Sequence, residues 1–272
     1  MLVTDKVSAD APPRIAGPRL APETTDYSSL AQAFATLGVE EDCEWALANY
    51  KRAVIEFTRQ FAARRLVEIG GGRDPLFDRQ EINDLGVDMT INDISPRELA
   101  VLPPGYHKAC FDIAGDASPL AEFRGNFDFA FSRMVFEHVS DGQRAWTNLY
   151  ELLAPGGVAL IYVPTLYAFP FVMNWLLPDK FAAKIVKALY KNRTDDEDPV
   201  FPARYSWCFT DARLTNMLSA IGYREVFVQP FYGHGYYKIV PAIHKIQLWF
   251  ADAARRHDWR PFTSFAYIAV RK

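Results

Sequence analysis

Cysteine is scarce in this chain. Its 272 residues hold three, Cys43, Cys110 and Cys208, far apart and without a CxxC pair. That spacing argues against a thiolate zinc site or a disulfide framework and fits a reducing, cytoplasmic compartment. Positive charge is not in surplus either. Lys and Arg number 30 against 33 Asp and Glu, for a net charge of -3. No concentrated basic face is available to grip a phosphate backbone, so nucleic acid is not an expected partner. The opening MLVTDKVSAD lacks the apolar core of a secretion signal, and nothing here reads as exported. There are no internal repeats.

What the chain has is apolar content, 50% of residues, enough for one large core with elaborations. Residues 1–26 are rich in Pro and Ala and have no apolar period, which reads as a flexible tail before a single domain over 27–272. Within it, 27–64 forms an N-terminal helical cap. There Leu47, Tyr50, Val54, Phe57 and Phe61 recur at helical spacing between about 42 and 63. Short apolar runs then alternate with helical segments. Leu66 to Ile69, Val87 to Ile91, Tyr106 to Phe111, Phe127 to Phe131 and Val158 to Val163 read as strands. A helix at 210–221, a strand at 224–230, a helix at 236–256 and a strand at 262–270 complete the series. Such alternation predicts an α/β fold, a mostly parallel sheet with helices on both faces.

The first strand ends in LVEIGGGRDP, residues 66–75. Gly70 and Gly72 let the backbone approach a bound nucleotide-like molecule, and Gly71 between them adds no bulk. Glu68 would repel a pyrophosphate and attract a cation, which points away from dinucleotides. A GxGxxG run would need glycine where Pro75 stands, and proline suits a first helical turn. Asp74-Pro75 therefore reads as a helix start with Asp74 as its N-cap.

This stretch resembles the first motif of the class I S-adenosylmethionine-dependent methyltransferases, a strand ending in E/D-x-G-x-G-x-G, with Asp74 replacing the last glycine. The resemblance covers roughly 65–165 and, more loosely, the C-terminal part. It implies a Rossmann-like seven-stranded sheet, with 65–163 binding S-adenosyl-L-methionine, 164–208 an apolar and helical insertion after strand five, and 209–272 closing the sheet. By the same resemblance Glu68, Gly70, Gly71 and Gly72 form the first turn. Asp93, followed by Ile94, holds both ribose hydroxyls through its two acceptor oxygens. Asp112 and Ile113 meet the adenine, and Ser132 and Arg133 line the methionine moiety.

Glu137-His138 could bind a metal or handle a proton. Related quinone-pathway O-methyltransferases carry a further glutamate three residues earlier, where this chain has Met134, so no metal is expected. His234 ranks first as a general base and His138 second. Thr165, Tyr167, Tyr205, Trp207 and Tyr232 are expected in the substrate wall, with Phe201 close to them in sequence. The runs Pro164-Thr165-Leu166-Tyr167, Tyr205-Ser206-Trp207-Cys208 and Gly233-His234-Gly235 resemble those of bacterial glycan or envelope-cluster methyltransferases, which implies a small-molecule, sugar or glycolipid acceptor and favours O-methylation. Residues 152–178 carry no charge, yet Pro164 and Pro170 interrupt them and strand five claims the first half, so no transmembrane helix is expected. Lys180, Lys184, Lys187 and Lys191 opposite Phe181, Ile185 and Leu189 form a basic amphipathic pattern. A peripheral contact with the inner membrane face through 169–191 is the corresponding expectation. A non-catalytic cofactor-binding scaffold and a nicotinamide-dependent oxidoreductase are the competing classes. The latter would need glycine at 75 and, in one large family, a Tyr-x-x-x-Lys pair that is missing.

Overall fold

The structure is a computed structural model and describes residues 29–166, 202–235 and 241–272. The tail over 1–26 and the amphipathic stretch over 169–191 lie outside the described residues, as do Tyr167 and Phe201. Two helices come first, α1 (Leu30–Leu37) and α2 (Cys43–Gln60). The Asp42 carboxylate opens α2 by accepting from the amides of Glu44 and Trp45 at 2.8 and 3.3 Å. The inward stripe of α2 is Ala46, Tyr50, Ala53, Val54 and Phe57. Leu47, expected in that stripe, is instead exposed, because the buried arc is set by its neighbours Ala46 and Tyr50.

Strand β1 (Arg65–Ile69) follows, then α3 (Arg79–Leu85), β2 (Asp88–Asp93), α4 (Pro96–Ala100) and β3 (His107–Cys110). The chain continues through β4 (Phe127–Arg133), α5 (Gly142–Leu152) and β5 (Leu153–Pro164). After the insertion come α6 (Ala212–Ile221), β6 (Glu225–Phe231), α7 (Pro241–Arg256) and β7 (Phe265–Arg271). The strands form one seven-stranded sheet in the order β3-β2-β1-β4-β5-β7-β6. The first five pair in parallel, and β7 runs antiparallel between β5 and β6. Both faces of the strands are apolar, as a sheet covered on both sides requires. Phe129, Phe131, Leu160, Tyr162 and Tyr267 pack under α1 to α4. Ala130, Ala159, Ile161, Val163 and Ile268 pack under α5 and α6 with Trp146, Leu149 and Leu214.

The helix expected at Asp74-Pro75 begins four residues later. Asp78 caps α3, accepting from the Glu81 amide at 2.9 Å while Glu81 accepts from the Asp78 amide at 2.9 Å. This reciprocal box outcompetes the proline signal because it satisfies two amides that would otherwise lack acceptors at the helix start. Residues 70–77 are thereby left as an irregular loop over the end of β1.

Polar clasps tie distant parts of the chain to this frame. The Tyr50 hydroxyl lies 2.7 Å from the Ser132 carbonyl, 3.0 Å from that of Leu160 and 3.1 Å from the Ser132 amide, bridging α2 to β4 and β5. Asn92 donates to the carbonyls of Ala109 and Phe111 at 2.9 and 3.0 Å, fixing where β2 and β3 end. The ammonium of Lys272 donates to Tyr150 and Leu153 carbonyls at 2.7 and 2.9 Å, placing a cation at the negative end of α5.

Candidate active site

Parallel register brings Ile69, Asn92 and Ser132 level with one another, so the loops after β1, β2 and β4 leave the sheet from one edge. The strand order reverses between β1 and β4, the place where open α/β sheets hold ligands. Gly70 adopts φ +74°, and a Cβ on it would stand 2.5 Å from the Val135 side chain across the crevice. Gly72 has φ +46°, and its Cβ would stand 2.9 Å from the Asp93 carboxylate. Both positions require glycine for conformation and for clearance. A Cβ at Gly71 would meet Ile91 and Glu68 at 2.9 and 3.0 Å.

Glu68 is buried beneath this loop and accepts from the Leu76 amide with both oxygens, at 3.2 and 2.9 Å. Burial pushes its carboxyl up to about 7, partly opposed by the Leu76 bond and by Arg133. In this structure Glu68 therefore shapes the loop from below. Asp93 is half-buried, and its Oδ1 accepts from the Ser95 amide at 2.7 Å. Burial raises its pKa against that bond, and nearby Glu98 raises it further. Arg73 on the glycine loop pairs with Glu98 on α4, Nη2 to Oε1 at 2.7 Å, closing the flank beside Asp93. Ile94 is exposed on the same side. Asp112 accepts from the Ala114 amide at 2.8 Å, and Ile113 is buried in the core next to it.

Ser132 lies wholly inside, its hydroxyl donating to the Ile69 carbonyl at 2.9 Å, so it joins β4 to β1 and presents no side chain to the crevice. Arg133 is partly exposed and stands 3.8 Å from the Asp74 carboxylate. Met134 follows with φ +59°, a conformation that non-glycine residues hold only when their surroundings enforce it. Its amide donates to the Tyr162 carbonyl at 2.9 Å. Nothing in the sequence pattern singled out this strained position beyond its place in a motif.

Glu137 and His138 come next on the same edge. Glu137 is 3% exposed, and its Oε2 has no hydrogen-bond partner among the described residues. Burial pushes this carboxyl up to about 8. Its Oε1 lies 3.7 Å from His138 Nε2, and the imidazole is partly open to solvent. The Glu137 carbonyl accepts from the amides of Arg204 and Tyr205 at 2.7 and 2.9 Å, clipping the end of the insertion to the site.

The remaining expected residues divide. Because β6 runs parallel to β5 with β7 between them, His234 shares the strand-carboxyl edge. It stacks on Phe265 at 5.6 Å, and burial lowers its pKa to about 4. Thr165 is fully buried and hydrogen-bonded to the Thr263 carbonyl, a link between β5 and β7. Tyr232 is also buried, its hydroxyl 3.2 Å from Asp258. Tyr205 is buried at φ +52°, and Trp207 lines a groove of about 430 Å³ between α5 and α6 with Gln143, Thr147 and Met217. Thr165 and Tyr232 thus make structural contacts at this edge. Trp207 belongs to the helical layer. Among the described residues no cluster of three His, Cys, Asp or Glu could hold a metal.

A family model described as a methyltransferase domain matches residues 43–226. The chain belongs to this methyltransferase family. The methyltransferase is 29% identical over 129 residues to phosphoethanolamine N-methyltransferase 2 of Caenorhabditis elegans, an alignment covering 46% of this chain and 27% of that protein. Among solved structures, the carbon-methyltransferase domain of the citrinin polyketide synthase is similar, with 14% identity and a TM-score of 0.50 over 84% of this chain and 54% of that one. A SAM-dependent methyltransferase from Archaeoglobus fulgidus is 13% identical, with a TM-score of 0.48 over 85% of this chain and 100% of that one. These likenesses concern the fold. The resemblance of the glycine turn implies S-adenosylmethionine as the methyl donor. The site fits it, since the space that a Cβ on Gly72 would take, against the Asp93 carboxylate, is kept clear beside a half-buried acceptor. No described helix is long and apolar enough to cross a membrane.

Proposed function

We propose that this chain transfers the methyl group of S-adenosylmethionine to a hydroxyl of a small molecule, sugar or lipid-linked glycan held at the strand-carboxyl edge. The observation that carries the hydroxyl reading is the buried Glu137 carboxyl beside His138, two residues beyond Val135, whose side chain faces Gly70. A hydroxyl acceptor must lose a proton as it is methylated, and a group titrating near the working pH serves that transfer best. Glu137 at about 8 meets the requirement, while His234 at about 4 is a weak base. The base role accordingly passes from His234 to the Glu137–His138 pair.

Asp93 accepts hydroxyl hydrogens of the cofactor ribose, and Gly70 and Gly72 admit the cofactor to the backbone, with Ile94, Asp112 and Arg133 at the rim. Glu68 keeps the loop in shape by holding the Leu76 amide. Bound S-adenosylmethionine supplies a methyl group on a sulfonium centre, which reacts by in-line displacement. The protein's work is then alignment and exclusion of water. His138 takes the acceptor proton, and Glu137, once it has lost its own proton, stabilises the resulting imidazolium as a carboxylate.

An amine acceptor is the second reading, favoured by the similarity to a phosphoethanolamine N-methyltransferase. The experiment is incubation with methyl-labelled cofactor and fractionated cell extract, followed by base treatment and identification of the labelled product. A labelled ether abolished by His138→Ala is the expected result; a labelled amine formed equally well by that variant refutes the hydroxyl assignment.

A further inference from the structure

Among the described residues, exposed apolar side chains mostly occur singly, as at Leu47 and Val101, and need no explanation. One region differs. On α7, Ile246, Trp249 and Phe250 fall at helical spacing on one side, with Trp249 71% and Ile246 68% exposed. The turn after the helix extends the same patch. Phe250 meets Phe262 at 4.9 Å and Trp259 at 6.1 Å, and the last two are exposed as well. Residues 244–260 carry Lys245, Arg255, Arg256 and Arg260 against Asp252 and Asp258. Arg255 and Arg256 pair with Asp252 and Arg260 with Asp258, which leaves a surplus of two positive charges, and Lys245 and Arg256 lie along the Trp249 side of the helix. A chain that is net negative as a whole therefore has a local positive surplus in the segment that carries this aromatic face.

We propose that this face of α7 and the following turn docks on an anionic lipid surface. Tryptophan and phenylalanine on one side of a helix, edged by Lys and Arg, suit the headgroup boundary, where rings enter the acyl region and cations meet lipid phosphates. A second copy of the chain is a poorer occupant, because it would bring the same cations into contact with themselves. The helix that carries this face lies beside the strand-carboxyl edge, since a Cβ on Gly233 would stand 3.7 Å from Ala251 and 3.9 Å from Gln247. Helix α7 begins a short connection after His234, at the carboxyl end of β6. Docking there holds that edge near the bilayer, whatever atom accepts the methyl group.

The test is sedimentation of the full chain with vesicles of phosphatidylglycerol and phosphatidylcholine, or of phosphatidylcholine alone, at low and high salt. Binding to the anionic vesicles is expected, weakening as salt rises. Ile246→Ser with Trp249→Ser should weaken it by at least about tenfold, as loss of two buried apolar side chains requires. Lys245→Gln with Arg256→Gln should remove most of the salt-sensitive part, and Leu47→Ser should change nothing. Unchanged binding of S-adenosylhomocysteine verifies that each variant is folded. Quenching of the unmodified chain's tryptophan fluorescence by brominated lipid gives a readout that needs no variant. Absence of both quenching and sedimentation at low salt overturns the proposal. So does a dimer in light scattering that the Ile246 and Trp249 substitutions abolish, which would assign the face to a second copy.

Discussion

Replacing Glu137 by Gln removes one ionisable proton while keeping shape. The folded carboxyl retains its proton to about pH 8, against an ordinary value of 4.5. Between those values the folded state binds the proton and the unfolded state does not, so stability falls as pH rises. The contribution is complete below about 4.5 and is lost once pH passes 8. At ~1.4 kcal/mol per pH unit, this range sets a ceiling of about 5 kcal/mol. Water entry and relaxation reduce the effective figure for a buried ion to about 2 or 3 kcal/mol. Urea titrations at pH 5.5, 7 and 8.5 should therefore show wild-type stability declining by about that amount relative to Glu137→Gln, with equal m-values. Turnover of the variant should fall, and the rise in wild-type turnover that accompanies loss of this proton should vanish from its pH profile. Parallel stability curves would mean that the carboxyl is not held protonated by burial, and the reasoning about the base pair would fail with it.

Gly72→Ala places a Cβ 2.9 Å from Asp93 Oδ2 at a backbone angle of +46°. Calorimetry with S-adenosylhomocysteine should register at least about a tenfold loss of affinity with modest change in melting temperature. Tyr50→Phe leaves the hydrogen-bonding groups of Ser132 and Leu160 short of a partner in the core. A cost of about 1 to 3 kcal/mol in denaturant unfolding is expected. Lys272→Met removes two bonds at the end of α5, and about 1 kcal/mol should be lost, less at high salt.

The strands could be read because both their faces are apolar and their helices recur at the right period. Strand β4 is an example, with Phe129 and Phe131 under one layer and Ala130 under the other. The glycine turn was legible because close backbone approach leaves a compositional mark. Side-chain direction leaves a weaker one. Glu68 shares its strand face with Leu66, which turns it inward, whereas its chemistry alone suggested a ligand. Helix α3 starts at the D-x-x-E capping box of Asp78 and Glu81, a stronger signal than the earlier Asp74-Pro75 start. Thr165 and Tyr232 stand at strand ends where a substrate wall is expected, and their hydrogen-bond partners Thr263 and Asp258 are distant in sequence. The Tyr50 clasp spans 82 residues to Ser132, and no local pattern announces it.

The antiparallel seventh strand sets an order of assembly. Strand β6 borders β7 alone, and β7 is the later of the two in the chain. Until residues 265–271 have been made and inserted, the segment carrying His234 has no neighbour in the sheet, and β5 presents an open flank. The strand-carboxyl edge is thus completed from its far end. A nascent chain halted before Phe265 would hold the five parallel strands without the pair that closes the sheet, and would offer two sticky borders to its neighbours.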